Sequence, residues 1–391
     1  MNINQRIKEL APELTNWRHQ LHAWPETAFE EIRTAEFVAQ KLASFGLKVE
    51  TGIAKTGVVG TLQKGSANLP AIGLRADMDA LDITEENDIP YRSENPGKMH
   101  ACGHDGHMTM LLGAAQVLAE SDDFKGTVHF IFQPAEENEG GAGLMVREGL
   151  FKQFPVTGVY GLHNFPMLPL GYFAITSGPM MAAFDIFDVH IRGKGGHGAM
   201  PQQGRDPIVA ASYMINQFQS IVSRNLDPIE GSVISVTQIN GGTAYNIIPD
   251  EVHLRGTTRH FNPLIQDTIE ARMRNIVEGV SKSMEVNAEI TYERRYPAVI
   301  NSPAETEFAI AAARATAGRD QVITDMPPVM GSEDFAFMLQ EKPGAYIALG
   351  AGEPNVGGML HQSRYNFNDD LLPTGVLYWK TLVRNLLPIN D

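Results

Sequence analysis

The hydrophobic and polar positions of the chain change their period repeatedly, which predicts alternating helices and strands. Apolar residues from Ile3 to Leu21 recur at helical spacing, as on one face of an amphipathic helix. A second helical pattern runs from about Thr34 to Phe45 and ends at Gly46, a residue type that favours helix C-termini. Unbroken apolar runs then alternate with helical segments, in the order GVVGTL, AIGLRADMD, MTMLLGAAQVLAE, GTVHFIFQ and GVYGLH. We therefore predict an α/β fold with a mostly parallel sheet flanked by helices.

The pattern changes near Ala183 to the order strand, helix, strand, strand, helix and strand. This is the split βαβ arrangement, so we predict an inserted ferredoxin-like (βαββαβ) domain over residues 183–293. The α/β pattern returns after Tyr296 and ends in a helix from about Leu372. The first domain is therefore expected to be discontinuous, formed by residues 1–182 and 294–391.

Composition and charge narrow the class of protein. The chain has 391 residues, which suits two domains, and the longest apolar runs fall short of the roughly 20 residues that span a bilayer. A formal net charge of -15 without basic runs disfavours binding to nucleic acid or to an anionic membrane. Charged residues within the first twenty positions disfavour a signal peptide, and the single cysteine cannot form an intramolecular disulfide. We expect a cytoplasmic location.

The stretch KMHACGHDGHMTM, residues 98–110, concentrates potential metal ligands. Cys102 and His104 are close enough to reach one metal ion, and zinc accepts thiolate and imidazole together, with cobalt and manganese as alternatives. Two other interpretations stay open from these residues alone. Cys102 could be a nucleophile with a nearby histidine as its base, or the stretch could be a polar loop.

Two adjacent carboxylates, Glu136 and Glu137, follow the apolar run GTVHFIFQ. Consecutive residues at the end of a strand point to opposite sides, so one carboxylate could bind a metal while the other faces a water. Metal-assisted hydrolysis requires both, because a cation activates the water and a carboxylate moves its proton. The alternative is a solvated acidic loop.

Other candidate ligands also follow strands. Asp77 and Asp79 end the run AIGLRADMD and share one face, which suits a carboxylate that orients a histidine ligand or, alternatively, a helix N-cap. His163 follows another strand, and His361 lies in a glycine-rich loop. Either histidine alone could be an ordinary hydrogen-bonded residue. In α/β sheets, however, ligands bind beyond the carboxyl ends of the strands, where most of these residues fall.

Five motifs together, MHACGHD, QPAEE, GLHN, GGHGAMP and MGSEDFA, resemble the M20 peptidase family, in particular its aminoacylase and hippurate hydrolase branch. The resemblance implies two divalent metal ions per subunit, of zinc, manganese or cobalt. It identifies Glu136 as the general base, which deprotonates the attacking water and passes the proton to the leaving amine. It also identifies Asp79 as the aspartate that supports the metal. The residues that match the family's metal ligands are Cys102, His104, Glu137, His163 and His361.

The metal-site motifs depart from the better-known family members at two positions. Asp77 stands where those members carry a histidine, and Cys102 stands where they use a bridging aspartate. In the inserted domain, the resemblance assigns His197 of GGHGAMP to the substrate oxyanion, commonly from the neighbouring subunit of a dimer. A phosphate-binding loop is disfavoured there, because no strand followed by G-x-G-x-x-G and a helix start is present.

The resemblance also implies substrate contacts at Asn246, Gly331 and Ser332. From the residues alone, Asn246 could equally be a turn residue, and Ser332 could cap a helix. The family role of the inserted domain is that of a lid and dimerisation domain. An open split βαβ sheet would expose an edge strand for such a contact, so we expect a homodimer or higher homo-oligomer.

The predicted function is metal-dependent hydrolysis of the amide bond of N-acyl or N-aroyl amino acids, such as hippurate or N-acetyl amino acids. The products would be a carboxylic acid and a free amino acid. The first alternative is a dipeptidase or carboxypeptidase of the same family. A second class, a binding protein with a purely structural metal, is disfavoured because structural zinc sites are usually closed by four ligands without a spare base. The expected partner is a small-molecule substrate, without nucleic acid or membrane.

Overall fold

The computed structural model of the chain describes residues 3–137, 139–353 and 357–389. The chain forms two compact units: Met1–Met180 with Ile300–Pro327 and Asp334–Asp391, and Met181–Val299 with Pro328–Glu333. The segment Pro328–Glu333 was expected in the catalytic domain but lies in the second unit. There the backbone N–H of Ala182 donates to the carbonyls of Val329 and Gly331, at 3.1 and 2.9 Å. None of the described helices is long and apolar enough to cross a membrane.

Helices and strands alternate along the chain. The helices are α1 (Ile3–Ala23), α2 (Ile32–Ser44), α3 (His104–Glu120), α4 (Gly141–Arg147), α5 (Leu150–Gln153), α6 (Pro207–Arg224), α7 (Pro263–Met284), α8 (Pro303–Ala317), α9 (Ala336–Glu341) and α10 (Leu372–Leu386). The strands are β1 (Lys48–Ile53), β2 (Gly57–Lys64), β3 (Ala71–Asp77), β4 (Gly126–Gln133), β5 (Gly158–Phe165), β6 (Phe173–Ala174), β7 (Gly178–Met181), β8 (Ala183–Arg192), β9 (Gly196–His197), β10 (Ser232–Asn240), β11 (Ile247–Ile248), β12 (Glu251–His260), β13 (Asn287–Tyr296), β14 (Val299–Asn301), β15 (Val322–Ile323) and β16 (Gly344–Gly350). Short 3-10 helices cover Pro201–Gln203, Arg319–Gln321 and Asp369–Leu371.

The first unit is built on one large sheet. Within its described residues, eight strands follow the order β1, β2, β4, β3, β5, β16, β6 and β15. The central strands β4, β3, β5 and β16 run parallel to one another. Strands β1 and β2 add an antiparallel edge beside β4, and β6 pairs antiparallel with β16 on the other side. Strand β4 is buried along its whole length, which explains its unbroken apolar run. The predicted mostly parallel sheet flanked by helices is confirmed.

Helix α3 lies deep in the first unit, in contact with α1, α10 and strand β3. It is therefore buried on nearly every side, and beyond its polar first turn its sequence is apolar all round rather than striped. Gly113 permits the close approach of both helices, because a Cβ at this position would lie 2.6 Å from Val376 Cγ2 and 2.7 Å from Leu14 Cδ2. Helix α3 begins at His104, so its tight packing holds in place the helix end that carries a predicted metal ligand.

The second unit has the predicted βαββαβ order. Its four-stranded antiparallel sheet has the order β10, β12, β8 and β13 within the described residues, and α6 and α7 share its apolar core. Asp206 caps α6 by accepting the backbone N–H of Ile208 at 2.8 Å, and Pro207 follows at the first helical position. Strand β10 is an edge strand of this sheet.

Candidate metal and catalytic site

Strand ends and one helix start bring the candidate ligands of the first unit together. Strands β3, β4 and β5 are parallel, with Asp77 opposite Gln133, so their carboxyl ends meet at one edge of the sheet. Strand β5 carries His163 near this end, and the loop after β4 carries Glu136 and Glu137. The start of α3 adds His104.

The predicted ligands form overlapping clusters in which the donor atoms all lie within 4.8 Å of one another. These clusters are Cys102 with His104 and His163, Cys102 with Glu137 and His361, and His104 with Glu136 and Glu137. Cys102 Sγ lies 3.4 Å from His163 Nε2, and His361 Nε2 lies 3.2 Å from Glu137 Oε1. The first unit therefore gathers all five predicted ligands and the predicted base.

Backbone carbonyls hold the rings of His104 and His163. His104 Nδ1 lies 2.8 Å from the carbonyl oxygen of Asp79, and His163 Nδ1 lies 2.6 Å from that of Asn164. A carbonyl can only accept, so each Nδ1 carries the proton that it donates. Each neutral ring then presents the lone pair of Nε2 to the cluster, which is the form that binds a metal.

The electrostatics of the cluster favour a cation. Burial lowers the pKa of His104, but the charges of Asp77, Asp79 and Glu137 outweigh it and raise this pKa to about 10. The negative field that retains a proton on the ring would equally stabilise a metal ion in its place. Among the described residues, the buried atoms His104 Nε2 and Glu137 Oε1 make no hydrogen bond of acceptable geometry, although His361 Nε2 lies 3.2 Å from Glu137 Oε1. Buried polar atoms of this kind require a partner, so the donor set fits a metal.

The surroundings of Cys102 suit a metal ligand better than a nucleophile. Burial raises the pKa of its thiol well above the usual range, and the charges of Glu137, Glu136 and Asp77 raise it further. A nucleophilic cysteine requires the opposite, an electropositive setting that lowers the thiol pKa. The nucleophile hypothesis is therefore disfavoured, since only a cation at the cluster would stabilise the thiolate.

Asp77, at the position where better-known relatives carry a histidine, is held by two partners. Its Oδ2 accepts from Arg75 Nη1 at 2.7 Å, and its Oδ1 lies 2.6 Å from His107 Nδ1. Burial raises the pKa of Asp77, but the charges of His104, Arg75 and His107 lower it well below the usual value. Asp77 is thus an ionised carboxylate within hydrogen-bonding distance of a histidine and an arginine.

Asp79 connects two of the ligands. Its Oδ2 accepts the backbone N–H of Glu137 at 2.9 Å, and its backbone carbonyl binds His104. Glu136 and Glu137 lie in a turn rather than on an extended strand, because Ala135 before them has a φ of 55°. The expected opposite orientation of the two carboxylates is therefore replaced by a turn in which both reach the same cluster.

His197 and Asn246 lie close together in the second unit. Strands β9 and β11 pair with His197 opposite Ile247, and the N–H of Gly198 donates to the carbonyl of Asn246 at 2.8 Å. The backbone N–H of Ala199 donates to His197 Nδ1 at 3.1 Å. In the neutral ring the proton then lies on Nε2, and the exposed ring offers a hydrogen-bond donor.

Gly331 and Ser332 also belong to the second unit. Ser332 Oγ lies 3.0 Å from Arg259 Nη1, and helix α9 begins only at Ala336, after Phe335. The alternative interpretation of Ser332 as a helix cap was wrong, because Pro328–Glu333 packs with the second unit and does not begin a helix.

Sequence reasoning missed several residues that support the site. Arg75 is a buried cation in the middle of an apolar strand, and this placement was a usable signal, since arginine is rarely buried without a partner. Asn164 Nδ2 donates to the hydroxyl of Tyr365 at 2.6 Å, a contact between residues far apart in sequence. Glu31 is fully buried and accepts the backbone N–H of Ala135 at 2.9 Å. Its sequence context, an acidic residue before a helix, gave no sign of this contact.

Comparison with known proteins gives consistent similarities. The profile described as Peptidase family M20/M25/M40 matches residues 73–385. Hippurate hydrolase of Campylobacter jejuni is 41% identical over 387 residues, which cover 99% of this chain and 100% of that protein. N-acetyl-L-cysteine deacetylase of Bacillus subtilis is 39% identical over 345 residues, covering 88% of this chain and 82% of that protein.

A solved structure is similar over nearly the same length. The Bacillus subtilis YXEP protein, described as a dinuclear metal binding peptidase from the M20 family, has a TM-score of 0.83 and 32% identity. The match covers 97% of this chain and 99% of that structure. Both units of the chain therefore fall within the similarity.

Proposed function

The chain belongs to peptidase family M20/M25/M40, and from that membership we propose how its metal and catalytic site works. The protein is a metal-dependent amidohydrolase that cleaves the amide bond of N-acyl or N-aroyl amino acids, as the names of its relatives indicate. The products are a carboxylic acid and a free amino acid. The family and the reaction predicted from the sequence motifs are confirmed.

The observation that carries the mechanism is a pair of buried ligand atoms beside Glu136 that make no hydrogen bond of acceptable geometry. His104 Nε2 and Glu137 Oε1 lie 4.0 Å apart, and a carboxylate oxygen of Glu136 lies within 4.8 Å of both. Divalent metal ions held by Cys102, His104, Glu137, His163 and His361 would polarise the amide carbonyl and acidify the attacking water. We propose two such ions per subunit.

The proposed work of the protein residues is proton transfer and charge stabilisation. Glu136 accepts the proton of the attacking water and returns it to the leaving amine nitrogen, which lets the carbon–nitrogen bond break. His197 donates from Nε2 to the oxygen of the tetrahedral intermediate. Asp79 holds the backbone of Glu137 and the ring of His104 in place. Asn246, Gly331 and Ser332 are proposed to contact the substrate.

We propose zinc as the metal, with manganese and cobalt as alternatives. A donor set of one thiolate, imidazoles and a carboxylate suits a borderline-soft ion. A cytoplasmic location, expected from the single cysteine, stays a prediction.

We propose a homodimer that associates through the second unit. Strand β10 is at the edge of its sheet, and exposed edges favour pairing with another chain. Exposed large apolar side chains occur on α6 and along the segment from β10 to β11, where surface residues are usually polar. They are Ile208, Val209, Tyr213, Ile239, Tyr245 and Ile247.

The proton-transfer role is tested by Glu136→Ala. We expect kcat on hippurate or an N-acetyl amino acid to fall by roughly 10³-fold, because a positioned general base typically contributes about 10² to 10⁴-fold to the rate. Metal content, measured by atomic emission, and far-UV circular dichroism should match those of the wild type. Full activity in a folded, metal-loaded variant would exclude Glu136 as the base.

The substrate class is tested with the metal-loaded wild type and matched pairs of substrates. We expect an N-acetyl amino acid to be hydrolysed faster than the dipeptide with alanine in place of the acetyl group, with the released amine detected. Preference for the dipeptide would support the dipeptidase alternative. A protein that unfolds on chelation and hydrolyses none of the panel would support a structural metal instead.

A further inference from the structure

The turn that carries Glu136 has an uncommon backbone. Ala135 is fully buried and has a φ of 55°, a conformation that costs free energy for a residue with a side chain. The turn is closed by a hydrogen bond from the N–H of Gly141 to the carbonyl of Ala135, at 2.9 Å. A Cβ on Gly141 would lie 1.8 Å from the carbonyl oxygen of Pro134. Surrounding contacts must therefore hold this turn in its observed form.

Two buried carboxylates hold the backbone on either side of Glu136. Glu31 Oε1 accepts the N–H of Ala135 at 2.9 Å, and Asp79 Oδ2 accepts the N–H of Glu137 at 2.9 Å. A carboxyl oxygen can accept such a hydrogen bond whether or not the group is ionised. The residue between these two N–H groups is the proposed general base, so its position depends on both acceptors.

Other contacts hold the side chain of Glu31 in place. It directly precedes helix α2, its side chain is fully buried, and its Oε2 accepts from Thr56 Oγ1 at 2.6 Å. Burial, together with the nearby charge of Asp79, raises the pKa of Glu31 to about 7. Burial of a carboxyl group near another carboxylate lowers the free energy of unfolding. Stability alone therefore does not explain Glu31, whereas a role in holding the turn does.

We propose that Glu31 is a positioning residue for catalysis, which sets the location of the Glu136 carboxylate by holding the N–H of Ala135. The inference rests on the proposed role of Glu136 as the general base. Among the described residues, Glu31 belongs to none of the clusters of potential metal ligands, so its loss should impair proton transfer without removing the metal. Misplacement of a catalytic group by about 1 Å can lower the rate by about 100-fold.

The test compares Glu31→Leu, which fills the site without an acceptor, with Glu31→Gln, which keeps an acceptor for the N–H of Ala135. We expect Glu31→Leu to lower kcat by about 10 to 100-fold with KM and metal content near the wild-type values. Glu31→Gln should recover most of kcat. If Glu31→Leu does not fold, Glu31→Asp, which is one methylene too short to keep the contact, should show the same fall in kcat.

Glu148→Ala is the matched control. Glu148 Oε2 accepts the N–H of Ala54 at 2.7 Å, and Ala54 also has a positive φ of 49°. The control therefore removes the same kind of contact at a turn that carries no predicted site residue. We expect its kcat to be unchanged. An equal fall in kcat for Glu31→Leu and Glu148→Ala would overturn the inference, as would wild-type kcat in Glu31→Leu.

A double-mutant cycle shows whether Glu31 acts through Glu136. In a Glu136→Gln background, Glu31→Leu should cause little further loss, because the positioned group is already absent. Additive losses would overturn the inference. If the wild type hydrolyses no N-acyl amino acid, the proposed function fails, and amide hydrogen exchange of residues 135–137 decides the positioning separately. Faster exchange there in Glu31→Leu than in Glu148→Ala supports it, and equal exchange refutes it.

Discussion

Cys102 is the residue at which this site departs most from a carboxylate-rich metal site. A thiolate is a softer ligand than a carboxylate, so its presence shifts preference toward zinc and away from manganese. It lies 3.4 Å from His163 Nε2 and shares a cluster with Glu137 and His361. Cys102 thus belongs to two of the candidate clusters, one with His163 and one with Glu137 and His361.

Substitution of Cys102 should change which metal is retained. We expect Cys102→Asp, which supplies the aspartate of better-known relatives, to bind metal but to prefer manganese over zinc relative to the wild type. Cys102→Ala should lose roughly 10-fold or more in metal affinity. Competition titrations of both ions, read by atomic emission after dialysis, check this. Unchanged metal preference in Cys102→Asp would mean that the thiol does not bind the ion.

At the scale of elements, a buried ionic network joins helix α1 to the start of α3. His22 Nδ1 lies 2.8 Å from Asp105 Oδ2, and its Nε2 lies 3.2 Å from Glu85 Oε1. Arg18 of α1 lies 3.7 Å from Asp105 and 2.7 Å from Asp369. Because Asp105 directly follows His104, this network fixes the helix end that presents a metal ligand.

The same network predicts a pH dependence of stability. Burial lowers the pKa of His22, but hydrogen bonds to Asp105 and Glu85 outweigh it and raise this pKa from 6.5 to about 9. A histidine whose pKa is higher in the folded than in the unfolded state stabilises the fold. This stabilisation is fully present below the pKa of the unfolded state and is lost as the pH rises through the pKa of the folded state. The free energy of unfolding should therefore fall by up to about 3 kcal/mol from about pH 7 to 10.

Urea denaturation of the wild type and of His22→Gln across this pH range measures the contribution. Other groups titrate in both proteins, so the difference between their slopes isolates His22. We expect the variant to be less stable than the wild type at neutral pH, and its free energy of unfolding to change less with pH. Parallel slopes in the two proteins would show that His22 is not charged in the folded state.

Local sequence patterns predicted most helices and strands, but not the start of α3 or strand β1. Helix α3 begins at His104, although the apolar pattern begins only at Met108, because buried polar residues form its first turn. Strand β1 escaped prediction because most of its residues are exposed and polar. The five candidate ligands could be selected from the sequence because each lies in a short motif, and the structure brings them close together. Glu31 was not, because its contact with Ala135 spans 104 residues and leaves no local pattern.

At the scale of the whole molecule, the question is whether one chain holds a complete site. The candidate metal ligands and Glu136 belong to the first unit, whereas His197 and Asn246 belong to the second. The exposed apolar residues near β10 and β11 favour association of the second unit with another copy. We therefore expect a dimer in sedimentation velocity, and Ile239→Lys, which places a charge on the exposed edge strand, should shift it toward monomer.

Mixing two inactive variants tests whether His197 acts across subunits. In a mixed dimer of His197→Ala and Glu136→Ala chains, action across subunits leaves one site with both substitutions and the other site with neither. Unfolding and refolding the two variants together should then restore about a quarter of wild-type activity, since about half of the dimers are mixed and each has one intact site. Each variant refolded alone is the control. Action within one chain predicts no recovery, because every site would then lack either its base or its oxyanion donor.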